Sequence, residues 1–202
     1  MEIEVFKNDL PHAFENCEAV AVDTETMGLL PYRDRLCLSQ FSAGDDKCYL
    51  VQLGDYSKAV NIKKLLGNSD VLKIFHYARF DMMMFYRYLK IMPKNIYCTK
   101  IASKLVRTYA ASHSLLELCK DMLSIEISKE QTCSDWGADE LLEQQKEYAA
   151  TDVLYLHRLK KKLDMMLVRE GRSELSKRCF EFLQTRVELD LLTDESYDIF
   201  AH

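Results

Sequence analysis

The sequence contains few residues that interrupt regular structure or join domains. Three prolines and six glycines are spread over 202 residues, and no Ser-, Pro- or Gly-rich stretch separates two halves of the chain. Stretches of that kind mark interdomain linkers. Since about 100 to 200 residues per domain is usual, we expect residues 1–202 to form a single domain.

Long apolar runs and cysteine pairs are also missing. No apolar stretch approaches the roughly 18 residues that span a bilayer, and the acidic start Met1-Glu2-Ile3-Glu4 is unlike a signal peptide. The seven cysteines are scattered without a C-x-x-C pair, which argues against a disulfide scaffold or a Cys-rich zinc site. The five histidines include no H-x-x-x-H pair, so a zinc hydrolase is disfavoured. We expect a protein of the reducing cytoplasm that does not enter the membrane.

An excess of basic residues is the last thing the sequence lacks. It has 27 Lys and Arg against 32 Asp and Glu, a net charge of −5, together with 48% hydrophobic and 29% charged residues. This composition is typical of a folded globular protein. It excludes the broad basic surface that binds long nucleic acid through its phosphates, but leaves a short nucleotide ligand open.

The hydrophobic pattern changes from alternating to helical along the chain. Strands are predicted at residues 19–26, 36–41, 47–52 and 71–75, with a possible extra strand at 96–98. Helices are predicted at residues 80–90, 99–107, 114–122, 139–169 and 172–192. This order predicts an α/β protein with a mixed sheet flanked by helices.

Two carboxylates close the strand predicted at 19–26, which is the first strand of this pattern. Because side chains alternate along a strand, Asp23 and Glu25 share one face and emerge side by side. The alternative is an acidic, solvated turn before Gly28, and for a D-x-E motif alone it is the commoner case.

The helix predicted at 139–169 carries a carboxylate on its apolar stripe. That stripe contains Leu141, Tyr148, Asp152, Tyr155, Leu156, Leu159, Leu163 and Met166. An unpaired buried carboxylate is costly, so Asp152 needs a cation, a hydrogen-bond network or an open cleft. Tyr148 lies one turn away on the same face. The Y-x-x-x-D spacing alone is weak, because Tyr77 and Asp81 share it.

The order of the acidic residues is more informative than any one of them. Asp23 and Glu25 end a strand, Asp81 lies in the first turn of a later helix, and Asp152 follows Tyr148 inside another. Asp81 alone is equally well explained by the favourable helix macrodipole. Together, four carboxylates and a tyrosine can hold two Mg²⁺ or Mn²⁺ ions for an in-line phosphoryl displacement, with the tyrosine orienting the attacking water.

At these residues the sequence resembles the DEDD superfamily of 3′–5′ exonucleases, in the tyrosine-containing branch typified by ribonuclease D. The resemblance rests on VDTET at 22–26, HYARFD at 76–81 and YAATDVLYL at 148–156, with further support from CTKIAS at 98–103 and QTCSDW at 131–136. Only about one predicted helix follows residue 169, so we expect the catalytic domain without the helical nucleic-acid-binding domain of full-length ribonuclease D. This compact form, with DTETMGL at 23–29 and the ending DIFAH at 198–202, is similar to the nanoRNase C family of α-proteobacteria.

The resemblance implies a ribonuclease H-like fold, a preference for very short RNA, notably dinucleotides, and a ring-shaped homo-oligomer, an octamer in that family. It also implies that Asp23, Glu25 and Asp152 bind a first divalent cation and that Asp23 and Asp81 hold a second, directly or through water. Tyr148 positions the nucleophile. A DNA-preferring exonuclease and a catalytically silent nucleic-acid-binding module are the alternatives.

Substrate contacts are also implied by the resemblance, for Thr24, Met27, Gly28, Leu29, His76, Arg79, Phe80, Lys100 and Trp136. Several have plain alternatives: Leu29 is a wedge between bases or a core residue, and His76 touches the substrate or is a satisfied structural group. Arg79 and Lys100 bind a phosphate or are solvated. Trp136 is a core anchor or stacks on a base. Tyr77 departs from the Asn or Phe usual in related sequences.

The last predicted helix has apolar residues with two possible partners. Leu175, Phe180, Phe182 and Leu183 supply either a contact between subunits or a cap on their own domain. Periodicity does not distinguish the two.

Overall fold

The computed structural model describes residues 2–127 and 134–192, together with Ile199. Residues 131–133 of the QTCSDW block lie outside this range, as does the DIFAH ending apart from Ile199. Among the described residues, no helix is both long enough and apolar enough to cross a membrane.

The described residues form one mixed sheet of six strands. The strands are Glu2–Lys7 (β1), Ala19–Thr26 (β2), Leu36–Ser42 (β3), Lys47–Gln52 (β4), Leu72–Phe75 (β5) and Ile96–Cys98 (β6). Their order is β1-β4-β3-β2-β5-β6. The β2–β3 and β3–β4 pairs are antiparallel, while the pairs β1–β4, β2–β5 and β5–β6 are parallel. β2 therefore lies inside the sheet with a partner on each side.

The predicted strands are confirmed to within a residue, but the prediction that 19–26 is the first strand is wrong. β1 precedes it and pairs with β4 at the edge of the sheet. An edge strand buries little apolar surface, and Val5 in its middle is 41% exposed. Its sequence signal is correspondingly weak, although Ile3 and Val5 do alternate with acidic residues.

Seven α-helices surround the sheet in the described residues. They are Val60–Gly67 (α1), Ala78–Leu89 (α2), Thr99–Val106 (α3), Leu115–Leu118 (α4), Glu143–Leu154 (α5), Leu156–Arg169 (α6) and Ser173–Leu192 (α7). A 3₁₀ turn, Tyr56–Lys58, precedes α1, and a π-helical turn, Cys119–Leu123, extends α4. The α/β class with a helix-flanked mixed sheet is confirmed.

The predicted helix at 139–169 is two helices. It begins at Glu143 and breaks at Tyr155, whose φ of −97° and ψ of −5° depart from helical values. α5 packs against β2, β3 and β4, whereas α6 packs against α3. One straight helix could not pack well against both the sheet and α3. The hydrophobic periodicity of the sequence does not show this requirement, because it depends on tertiary contacts. α1 was not predicted, because its eight residues carry only a short apolar pattern.

α7 packs mainly across α2 and so closes one side of the domain. Phe180 and Leu183 are buried against the core, which confirms the cap for these two residues. Leu175 and Phe182 are 42% and 43% exposed. The helix therefore has an inward apolar face and an outward one.

Candidate active site

Three carboxylates from two segments meet at the end of β2. Asp23 and Glu25 lie on one face of that strand, and α5 brings Asp152 to them from 127 residues further along the sequence than Glu25. One carboxylate oxygen of each residue lies within 4.8 Å of those of the other two. The strand alternation and the packing of α5 on the sheet thus produce the convergence that the sequence predicts.

Asp81 supplies a fourth carboxylate beside this group. It lies in the first turn of α2, is 3% exposed, and its Oδ1 accepts a 2.6 Å hydrogen bond from the Thr24 hydroxyl. Its negative charge acts on both Asp23 and Glu25, whose pKa values it helps to raise. The hydroxyl of Thr24, a residue predicted to contact substrate, therefore donates its hydrogen bond to the Asp81 carboxylate.

Crowding of negative charge defines the electrostatics of the site. Burial, followed by repulsion from neighbouring carboxylates, raises the pKa of Asp23 and of Glu25 well above the usual range. Burial also raises the pKa of Asp81 and that of Asp152 to about 7, against the hydrogen bonds from Thr24 and Tyr148 respectively. Such an arrangement favours protons or cations between the carboxylates.

Tyr148 stands between the carboxylates and a buried tryptophan. Its phenol is hydrogen-bonded to Asp152, and its ring lies 6.0 Å from the Trp136 ring, centroid to centroid, at 40°. Trp136 is 3% exposed. This burial favours the core-anchor interpretation of Trp136, because a buried indole offers no free face to a base.

Sequence reasoning missed Gln40, the cross-strand neighbour of Asp23 on β3. The Gln40 side chain is fully buried, and its Nε2 donates to Asp23 Oδ2 at 3.3 Å. The only sequence signal was a polar amide in the run LCLSQFS, all of whose residues are buried.

The loop after β2 exposes two apolar side chains near the carboxylates. Leu29 is 79% exposed and Met27 50% exposed, so the core interpretation of Leu29 is wrong. A Cβ on Gly28 would lie 2.2 Å from Asp34 Oδ2, and Asp34 is fixed there by the Leu30 N–H at 3.0 Å. Glycine lets the loop turn closely over Asp34 and present Leu29 outward.

His76 and Lys100 have partners within the domain. The His76 ring nitrogen lies 2.9 Å from the Thr99 hydroxyl, and burial lowers the pKa of His76 to about 3, which fits a neutral, structurally satisfied ring. Lys100 Nζ lies 4.1 Å from the centroid of the Tyr77 ring. Tyr77 has a φ of 71°, in the left-handed region where Asn is much better tolerated.

Arg79 does not lie free at the site. Its guanidinium forms a two-pronged ion pair with Asp190 on α7, and its side chain remains 38% exposed. No sequence pattern indicates this ion pair, because its two residues lie 111 positions apart. Phe80, the next residue, is half-buried and packs against the core.

The donor set suits hard divalent cations. All four acidic groups offer carboxylate oxygens, the ligands preferred by Mg²⁺ and Mn²⁺, and no cysteine or histidine lies in the described cluster. Bound cations would also offset the repulsion between these carboxylates, which contributes to the raised pKa values of Asp23 and Glu25.

Comparison with known proteins shows the family to which this chain belongs. The sequence pattern described as 3′–5′ exonuclease matches residues 2–168. The chain belongs to the 3′–5′ exonuclease family. It is therefore a hydrolase of phosphodiester bonds, and the cluster of Asp23, Glu25 and Asp152 is suited to hold a divalent cation.

Solved structures confirm the resemblance to nanoRNase C and the ribonuclease H-like fold. Brucella melitensis NrnC is 49% identical, with a TM-score of 0.95 and coverage of 100% of both chains. Structures of the same Brucella protein with bound Mg²⁺ and with pGG each have a TM-score of 0.94.

Curated relatives are longer than this chain. Ribonuclease D from Desulfotalea psychrophila is 30% identical over 139 residues, which are 69% of this chain and 37% of the relative. DNA polymerase I from Aquifex aeolicus is 33% identical over 173 residues, which are 85% of this chain and 27% of the relative. The chain thus spans about a third of their length.

The raised pKa values predict how pH changes the stability of the metal-free protein. Carboxylates with a raised pKa hold protons more tightly in the folded chain, so their ionisation, opposed by burial and then by mutual repulsion, destabilises the fold as the pH rises from about 4 to about 7. In EDTA, the free energy of unfolding should contain a component that falls over this range. Asp152→Asn should reduce that fall, as measured by urea unfolding at several pH values. An equal or steeper fall in the variant would contradict the repulsion.

Proposed function

We propose that the protein is a two-metal-ion 3′–5′ exoribonuclease that hydrolyses short RNA, down to dinucleotides, to nucleoside 5′-monophosphates. The observation that carries the proposal is the convergence of Asp23, Glu25 and Asp152, with Asp81 and Tyr148 beside them. The full-length similarity to Brucella NrnC, which has been solved with pGG, supports the choice of a dinucleotide.

Each acidic residue has a role in the proposal. Asp23, Glu25 and Asp152 would bind one divalent cation, since their oxygens lie within 4.8 Å of one another. Asp23 would share a second cation with Asp81, directly or through water. Held by these residues, the cations would supply a water of lowered pKa as the nucleophile and would stabilise negative charge on the phosphoryl group.

The remaining residues orient the reactants. Tyr148 would hold the attacking water in line, and its hydrogen bond to Asp152 and its contact with Trp136 restrict where its hydroxyl points. Water adds to the phosphorus of the last phosphodiester, the bond to the 3′ oxygen breaks, and a nucleoside 5′-monophosphate leaves. Exposed Leu29 would contact the terminal bases beside this bond.

Charge supports a short substrate. Arg79, in the first turn of α2, is already paired with Asp190, and the chain carries a net charge of −5. Two divalent cations would offset most of that charge without making the surface basic. Long nucleic acid, which is bound through many phosphates, gains little from such a surface.

DNA is the alternative substrate, favoured by the similarity to DNA polymerase I. Rates on matched ribo- and deoxyribo-oligonucleotides, each supplied as dinucleotides and as longer oligomers, separate the possibilities. We expect the highest kcat/KM on ribodinucleotides, with nucleoside 5′-monophosphates as products. Preference for long deoxyribo-oligomers would overturn the proposal, and RNA binding without turnover in Mn²⁺ would favour a silent binding module.

Substitutions at the carboxylates test the assigned roles. Asp23→Ala and Asp152→Ala should reduce hydrolysis to background while the proteins still unfold cooperatively, because each removes a cation ligand. Tyr148→Phe should lower kcat by about a hundredfold with a smaller change in KM. Asp70→Ala, at an exposed turn, is the matched control and should keep full activity. Full activity in Asp23→Ala or in EDTA would refute the metal-dependent site.

A homo-oligomer, in the form of a ring, is part of the proposal. The outward apolar face of α7, with Leu175 and Phe182 at 42% and 43% exposure, supplies a surface for such contacts. Light scattering should give a mass several times 23.6 kDa, close to that of an octamer. Leu175→Glu and Phe182→Glu should lower the mass, whereas Val60→Glu, at an exposed position of α1, should not. A monomer at working concentrations would contradict the ring.

A further inference from the structure

Two buried polar side chains contact the carboxylates without carrying a charge themselves. Gln40 on β3 is fully buried and donates from Nε2 to Asp23 Oδ2 at 3.3 Å. Thr24 on β2 is 7% exposed and donates from its hydroxyl to Asp81 Oδ1 at 2.6 Å. The two contacted residues are those assigned to the second cation.

Burying the amide of Gln40 at this position costs folding free energy. Its Oε1 is buried and, among the residues the structure describes, accepts no hydrogen bond, so half of the amide is desolvated without compensation. An apolar side chain of similar size would avoid this desolvation cost, since every residue of β3 is buried. The one contact that distinguishes Gln40 from such a side chain is its N–H on Asp23.

Both contacts fix an orientation that the metal-free site otherwise opposes. Four like charges in one place favour carboxylates that rotate apart, and a donor on one oxygen restricts this rotation. A carboxylate has about four lone-pair positions, so one donated hydrogen bond leaves the others open to a cation. Gln40 is directly opposite Asp23 in the β2–β3 register, which holds the donor at a constant place.

We infer that Gln40 and Thr24 are positioning residues that hold Asp23 and Asp81 ready for the second divalent cation. Their effect on the site passes through the two carboxylates that they contact. This inference rests on the metal roles proposed above. Outer partners of metal ligands typically change metal affinity or activity by about 10- to 100-fold when removed.

The test measures Mn²⁺ binding to the metal-free full-length protein by calorimetry, which requires no RNA. Gln40→Met and Thr24→Val remove the donor and keep the approximate volume, and each should weaken the second Mn²⁺ site by about tenfold or more. Thr24→Ser keeps a hydroxyl and should restore most of the affinity. Ser42→Ala is the control, since Ser42 is equally buried on the same face of β3 and its hydroxyl accepts from Gly44 N–H.

Coupling distinguishes positioning from general damage to the fold. In an Asp23→Asn background, Gln40→Met should cause little further loss of Mn²⁺ affinity, because its effect passes through Asp23. In steady-state kinetics, raised Mn²⁺ concentration should restore kcat of the Gln40→Met protein, with KM for substrate unchanged.

The outcomes separate this inference from the proposed function. If the wild-type protein binds no Mn²⁺, the two-metal proposal fails. If it binds two Mn²⁺ ions and Gln40→Met and Thr24→Val bind them equally well, the positioning inference alone is overturned. A loss of affinity in Ser42→Ala equal to that in Gln40→Met would also overturn it, because the effect would then belong to the strand and not to the amide.

Discussion

Repulsion among four carboxylates is the constraint on which the structure of the site depends. Burial raises the pKa values of Asp23, Glu25, Asp81 and Asp152, and the charges of neighbouring carboxylates raise those of Asp23, Glu25 and Asp81 further. A folded chain accepts such a cost only where the rest of the domain imposes the geometry. Here β2 lies inside the sheet with a hydrogen-bonded strand on each side, so the two residues that it carries cannot move apart.

The helices supply the other half of the cluster by packing on that sheet. α5 lies against β2, β3 and β4 and carries Asp152 and Tyr148, while α2 carries Asp81. The break at Tyr155 lets α5 follow the sheet while α6 turns to α3. α7 then covers α2, and its Asp190 pairs with Arg79 two residues before Asp81. The contacts that pack the helices on the sheet therefore also position the residues of the site.

Much of this could be predicted from the sequence. Strand alternation places Asp23 and Glu25 on one face, and helix periodicity places Tyr148 and Asp152 on an apolar stripe. Asp81 joins them through the order of the acidic residues and the resemblance to the exonucleases. What could not be predicted depends on distant contacts. The Arg79–Asp190 pair, the burial of Trp136 behind Tyr148 and the exposure of Leu29 follow from tertiary packing. Gln40 leaves only the weak signal of a polar amide in a buried run, since its partner lies on another strand. β1 and α1 were missed because short elements leave weak patterns.

The central claim is that this cluster binds two divalent cations, and anomalous diffraction from crystals grown with Mn²⁺ tests it most directly. The account predicts two peaks about 4 Å apart, one among Asp23, Glu25 and Asp152 and the other between Asp23 and Asp81. Absence of both peaks at saturating Mn²⁺, or ions bound only elsewhere on the protein, would contradict it.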